Sequence, residues 1–244
     1  MARIADSKGR EDDNSGYTRL LGLPELGQLL SRVHATVIRN GNELELMLAE
    51  RCAFRATGLA QRLNGAFSLF APPLEAFFGE ALHVSDSDHM VAADIVILNH
   101  AAREVRVVEV KEGDVFDTKK VEGELASLQP LAVFLGARLG YRPQFQLCCF
   151  HQEDKAAILR GLKGRFQADQ IMTGRELCAL LGVSYEEIRR QREADVRANQ
   201  LFLIQELWAI PQLRAAFEEC MVREGRARRE GTEEDTSGRG IDGT

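Results

Sequence analysis

The chain has 244 residues, 45% of them apolar and 28% charged, with a formal charge of −6. At roughly 150 residues per domain this allows one large domain or one and a half, able to bury roughly 70% of its unfolded surface without a disulfide or metal staple. No run of about 18 apolar residues is present, which excludes a transmembrane helix, and the polar start MARIADSK lacks the apolar stretch of a signal peptide. A soluble, cytoplasmic protein with no membrane partner is expected. The excess of acidic residues, 37 against 31 basic ones, argues against coating nucleic acid through bulk charge. It leaves room for a phosphodiesterase, which needs clustered carboxylates and can touch DNA through local basic strips. The five cysteines have no CxxC or Cys/His zinc spacing and are expected as buried, reduced thiols.

Residues 1–16 are polar and are expected to be disordered, as is the tail 223–244. From Leu23 to Cys52, Leu26, Leu29, Leu30, Val33 and Val37 recur at helical spacing. Asn40-Gly41-Asn42 interrupts the pattern, which predicts two helices or one broken helix. Residues 53–80 are ambiguous around the breaker Pro72-Pro73. Val91–Leu98 and Val105–Val110 are predicted strands, joined by a turn at 99–104. Gly113–Lys120 reads as a loop. A helix follows over 121–139, with Pro130 at a bend in it or dividing it, and Phe145–Phe150 is a third strand. This order predicts an α/β core with a mixed sheet. Beyond Asp154 the chain is mainly helical. Residues 173–192 suggest a short helix, a turn at Gly182 and a second helix capped by Ser184. A last helix is expected over about 199–222, broken near Pro211. These boundaries imply a core over 17–152 and a helical region over 153–222.

Four acidic-x-Lys triplets occur, and only Glu109-Val110-Lys111 lies on a buried strand, where alternation puts Glu109 and Lys111 on one face. Charged groups at the end of a Val-rich strand are costly unless paired or metal-bound. A hairpin centred between Ala101 and Ala102 opposes Val96 to Val107, Leu98 to Val105 and Asp94 to Glu109, so that Asp94, Glu109 and Lys111 converge. A slip of one residue would undo this. Two close carboxylates repel, and a hard cation such as Mg²⁺ resolves the repulsion while keeping waters that a phosphate can displace. The lysine could orient or deprotonate the attacking water, or simply be salt-bridged to the two acids.

Residues 91–111 (VAADIVILNHAAREVRVVEVK) resemble the signature of the PD-(D/E)xK, or restriction-endonuclease-like, nucleases, with Ala93 in place of the usual proline. Gly41-Asn-Glu-Leu-Glu45 is similar to the Gly-x-x-apolar-Glu pattern of many type II restriction enzymes. The resemblance implies a restriction-endonuclease-like mixed sheet flanked by helices, with a helical carboxyl-terminal part. It implies Asp94, Glu109 and the Val110 carbonyl as Mg²⁺ ligands, Lys111 acting on water, and Glu45 as an outer acid, with Glu43 and Glu50 as rivals. The implied activity is that of a type II restriction enzyme of a prokaryotic cytoplasm. Such an enzyme cuts double-stranded DNA at a specific sequence, leaves 5′-phosphates and works as a homodimer.

Asp117, Lys119 and Lys120 could touch DNA at the mouth of the site. The segment 175–192 resembles a helix-turn-helix, with Arg189, Arg190 and Arg192 able to reach a groove. Scattered histidines make no motif, and Trp208 reads as core. The alternatives are a repair or recombination nuclease of the same superfamily, and a non-catalytic helix-turn-helix DNA-binding protein whose acidic patch is a salt bridge.

Overall fold

The β-branched residues of Ile95–Asn99 (β4) and Glu104–Lys111 (β5) pair as an antiparallel hairpin at the centre of a five-stranded sheet. The computed structural model describes residues 2–10, 14–65, 72–83, 90–113 and 118–237. The sheet order is β1-β4-β5-β6-β7, with β1 at Leu74–Phe78, β6 at Arg142–Cys149 and β7 at Ile171–Thr173. β1 is antiparallel to β4, whereas β6 is parallel to β5 and β7 to β6. A parallel pair needs a crossover, and the helix Thr118–Leu139 (α4) supplies it between β5 and β6. A mixed sheet flanked by helices is the architecture the sequence predicts.

Alternation along the strands gives the sheet two apolar faces. Ile95, Ile97, Val108 and Val110 face Leu44, Met47 and Leu48 of the helix Pro24–Arg51 (α2), together with Leu177, Cys178, Leu181 and Ile188. Val96, Leu98, Val105 and Val107 face Leu128, Leu131, Ala132 and Leu135 of α4. Full burial of each such side chain contributes about 1.5–3 kcal/mol, which is why the hairpin register is held so firmly. Observed pairs include Val96 with Val107 and Leu98 with Val105, the register read from the sequence.

Local differences from the expectation have physical causes. The segment read as one strand over 91–98 is two. Met90–Ala92 (β3) pairs with Ala81–His83 (β2) in a separate two-stranded sheet, and the chain bends at Asp94 before β4 begins. α2 is continuous through Asn40-Gly41-Asn42. Gly41 meets nothing, and its helix penalty of about 1 kcal/mol is outweighed by burial of Leu44, Met47 and Leu48. Pro130 lies inside α4 without dividing it. α4 starts at Thr118, so Lys119 and Lys120 lie on its first turn and not in a loop. A short helix, Leu59–Leu63 (α3), and β1 occupy the ambiguous stretch, and β7 follows the helix Lys155–Gly161 (α5).

The helix pair expected over 173–192 is present as Gly174–Leu181 (α6) and Tyr185–Ala209 (α7). Thr173 and Glu176 form a capping box on α6, Gly182 ends it with φ 68, and Ser184 Oγ accepts the Glu187 N–H. A Cβ on Gly174 would stand 2.3 Å from the Phe150 carbonyl oxygen, so only glycine lets α6 pack this close to the sheet. α6 and the start of α7 are thus part of the core. One compact unit runs over Arg39–Arg192, further than the expected 152.

The second unit comprises Ala2–Ile38 and Glu193–Thr244. It contains the helix Gly16–Leu21 (α1) and Pro211–Ser237 (α8), with parts of α2 and α7. The amino-terminal residues, expected to be disordered, are packed within this unit. Ala2 and Ile4 are buried, the Ile4 N–H donates to Asn199 Oδ1 at 2.8 Å, and Arg3 pairs with Asp195 at 3.0 Å. The break near Pro211 is the boundary between α7 and α8, with proline in the first helical position that suits it. α8 continues to Ser237, into the part expected as a disordered tail. Its run of Arg, Glu and Ala favours helix, and Arg223 bonds Glu219 one turn back at 2.5 Å. Cys148, Cys149 and Cys178 are buried as expected, but Cys220 and Trp208 are exposed.

Candidate active site

Where β4 bends away from β5, the ladder stops and the Val110 N–H would lose its partner. The Asp94 side chain takes that place, with Oδ2 accepting the Val110 N–H at 2.7 Å. Asp94 is fixed from the other side too, because its carbonyl accepts the N–H of Gly79, a residue with φ 62 just beyond β1. The register sum that pairs Ile95 with Val108 therefore brings Asp94 to Glu109, as the hairpin predicts.

Glu109 and Lys111 project from β5 toward α4. Lys111 Nζ donates to Glu109 Oε1 at 2.5 Å and to Glu124 Oε1 at 3.0 Å. Glu124, on the second turn of α4, is the functional candidate that sequence reasoning missed. Its only signal was its place beside the apolar stripe of a helix that follows the Glu-x-Lys strand. Glu45, on α2, completes the cluster. Its charge is felt by Asp94, and it feels the charge of Glu109 in turn. Of its rivals, Glu50 is exposed and Glu43 half-buried.

The electrostatics follow from four carboxylates around one ammonium. Burial, followed by the charge of Glu45, drives Asp94 up to about 6, against the pull of the Val110 N–H and Lys111. Burial and the Asp94 charge raise Glu109, and burial and the Glu109 charge raise Glu45. Burial disfavours the Lys111 cation, but the hydrogen bonds and charges of Glu109 and Glu124 overcome this and hold it well above the usual lysine value. Lys111 is therefore a fixed cation in this arrangement.

The donor set fits a hard cation. Neighbouring carbonyls along a strand point to opposite sides. The Lys111 carbonyl accepts the Phe150 N–H on the β6 side, so the Val110 carbonyl emerges on the Asp94 side, beside the two carboxylates. Among the described residues no three acidic, histidine or cysteine side chains gather closely enough to hold a metal alone. A bound ion would thus rely on Asp94, Glu109, the Val110 carbonyl and water, as Mg²⁺ does when it keeps several waters.

The residues expected to touch DNA are described only in part. Asp117 lies outside the described residues, as do the side chains of Lys119 and Lys120. Arg189 and Arg190 are exposed on α7, Arg189 3.6 Å from Glu186 and Arg190 bonded to the Glu186 carbonyl at 3.4 Å. Arg192 cannot reach a groove, since it is buried and bonded to Glu112. His89 is outside the described residues. His151 is exposed, and its pKa is lowered by desolvation and then by the Arg192 charge.

No protein-family model matches the chain, and no solved structure matches it. A curated relative, the type II restriction enzyme HhaII of Haemophilus parahaemolyticus, is 40% identical over 224 residues, covering 88% of this chain and 97% of that enzyme. Identity of that depth over nearly the whole of both chains, on a sheet that gathers Asp94, Glu109 and Lys111, means that the chain belongs to the type II restriction enzyme family.

Proposed function

We propose that the protein is a Mg²⁺-dependent, sequence-specific endonuclease of the PD-(D/E)xK type that hydrolyses double-stranded DNA to leave 5′-phosphates. The observation that carries this reading is the convergence of Asp94, Glu109 and Lys111, supported by the relative's description as a type II restriction enzyme. Asp94 and Glu109, with the Val110 carbonyl, would hold the ion, which supplies a polarised water and neutralises charge on the phosphate. Lys111 stays protonated between Glu109 and Glu124, so it orients water by donating a hydrogen bond and stabilises charge developing on the scissile phosphate. Glu124 positions Lys111. Glu45 would take a water or a second ion at the edge of the cluster. Arg189 and Arg190 are exposed and would meet phosphates, with Asp117, Lys119 and Lys120 as further proposed DNA contacts.

We further infer a homodimer, since cutting both strands of a palindromic site needs two such clusters. Leu201, Ile204 and Trp208 form an exposed apolar stripe on α7, spaced three and four residues apart, which a second copy would cover. Incubation of the purified protein with unmethylated phage DNA, with Mg²⁺ and then with EDTA, tests the reading. Discrete bands that vanish with EDTA support it, and end-sequencing gives the site. A smear would point to a repair-type nuclease, while intact DNA that is shifted in a gel would overturn the catalytic reading.

A further inference from the structure

Behind the catalytic strand lies a buried polar group that the reaction itself does not use. Arg192, on α7, is 2% exposed and its Nη2 is hydrogen-bonded to Glu112 Oε1. Asn40, on α2, donates through Nδ2 to both oxygens of the same carboxylate, at 2.9 and 2.8 Å. Glu112 follows Lys111 directly, and Asn40 lies five residues before Glu45 on one helix, about 7.5 Å along its axis. The strand end is also tied to β6, where the Phe150 N–H donates to the Lys111 carbonyl at 2.8 Å and the His151 N–H to the Glu112 carbonyl at 3.4 Å. Two elements that carry the candidate site therefore meet at one carboxylate, which is gripped from both sides.

This arrangement is poor as a stabilising device. Nε and Nη1 of Arg192 and Oδ1 of Asn40 are buried with no hydrogen-bond partner among the described residues. Burying a guanidinium with two of its nitrogens unpaired costs free energy, and a hydrophobic side chain of similar volume would serve the fold better. What the group does provide is a fixed location for Glu112, and through it for Lys111 and the α2 segment that bears Glu45. Reaction rates respond to such placement steeply, since a misplacement of about 1 Å can cost about 100-fold.

We propose that Arg192, Glu112 and Asn40 form a positioning clamp that sets Lys111 and Glu45 in register, and so governs the hydrolytic rate without contact with substrate. The proposal rests on the endonuclease reading above. Its test measures single-turnover cleavage, KM and thermal midpoint for wild type, R192M, E112Q, N40A and the double variant R192M/E112Q, on a duplex carrying the site mapped from phage DNA. Each single variant is expected to lose about 10- to 100-fold in rate, the scale seen when outer partners of a site are removed, with KM within about threefold. Removing both charges relieves the unpaired ion, so the double variant should regain the thermal midpoint lost by R192M yet remain slow. R192K, which keeps the charge, should recover part of the rate. Should R192M not fold, N40A and the double variant still carry the comparison. Recovery of rate together with the midpoint in the double variant would overturn the clamp, because the group would then be structural only. So would single variants that cleave at the wild-type rate. Wild-type protein that never cleaves would instead remove the endonuclease reading, and the clamp with it.

Discussion

Asp94 Oδ2 accepts the Val110 N–H at 2.7 Å, so the carboxylate at the bend before β4 completes the hydrogen bonding of the strand that carries Glu109 and Lys111. The link is double-edged. It fixes the geometry of the site, but it holds a carboxylate among other carboxylates in a half-dry environment, where ionisation is unfavourable until about pH 6.

Asp94→Asn separates those two effects. Asparagine keeps an oxygen for the Val110 N–H and removes the charge. Cleavage should fall at least about 100-fold, the scale for losing a group that meets developing charge, while thermal stability at pH 7.5 should rise by on the order of 1–3 kcal/mol. The sign follows from linkage. The folded-state pKa of Asp94 is raised, so above pH 6 folding carries the cost of its ionisation, and that cost is relieved progressively as pH falls from about 6 toward the ordinary aspartate value. The stability advantage of the variant should therefore shrink below pH 6. Paired melting curves at pH 5 and 7.5 check this, and an unchanged advantage would contradict it.

Lys111 and Glu124 give a second test. Because Glu124 Oε1 lies 3.0 Å from Lys111 Nζ, Glu124→Gln should release one of the two anchors and let the ammonium titrate closer to its ordinary value. A rate loss of about 10- to 100-fold with DNA affinity within threefold is expected. The alkaline limb of the pH–rate profile should move to lower pH. Lys111→Ala should abolish cleavage and spare binding, as measured by gel shift in EDTA. Loss of binding in either variant would count against the assigned roles.

The core of the site was legible in the sequence because it depends on alternation and register, and both are set by the apolar face of the Val-rich strands. Ile95–Val108 pairing follows from which side chains must be buried, and Asp94 and Glu109 follow from the pairing. Glu124 was not legible, because a helix that packs on a sheet can turn several acids toward its end, and only the tertiary fit of α4 picks one. Arg192 departs from its expected role for a related reason. It shares a basic stretch with Arg189 and Arg190, but it stands four residues after buried Ile188 and seven after buried Tyr185, and so falls on the core side of α7. β7 carries too few residues for alternation to mark it, β1 is buried at three successive positions and shows none, and the split at Asp94 is invisible in a run that is apolar on both sides.

Acid stability should depend on Glu75, far from the catalytic cluster in register terms, since it pairs with Leu98. Its buried carboxylate accepts from Arg62 at 2.6 Å and lies 2.9 Å from His100 Nε2. Burial pushes it up, but the Arg62 and His100 bonds win and hold it below the usual glutamate value. A depressed carboxylate contributes stability that is present above its unfolded pKa, about 4.3, and lost as pH falls through the folded one. Glu75→Gln should thus destabilise by about 1–3 kcal/mol at pH 7, removing a charged partner of Arg62, and the gap between variant and wild type should narrow as pH falls below about 4.3. Denaturant titrations at pH 7 and 3.5 measure it; a difference undiminished at pH 3.5 would refute the ionic origin.

Arg189, Arg190 and Arg192 of α7 divide by exposure, and DNA affinity should divide with them. Arg189 and Arg190 are exposed, so R189A/R190A should weaken binding to specific and non-specific duplexes alike. For every phosphate that is no longer neutralised, the slope of log affinity against log salt should flatten by about 0.9. Arg192 is buried on Glu112, so R192M should leave that slope unchanged while slowing cleavage. Fluorescence-anisotropy titrations in EDTA at several salt concentrations read the binding effects without hydrolysis. A salt slope that falls for R192M and not for R189A/R190A would reverse the assignment, moving the DNA-binding role from the exposed face of α7 to its buried one.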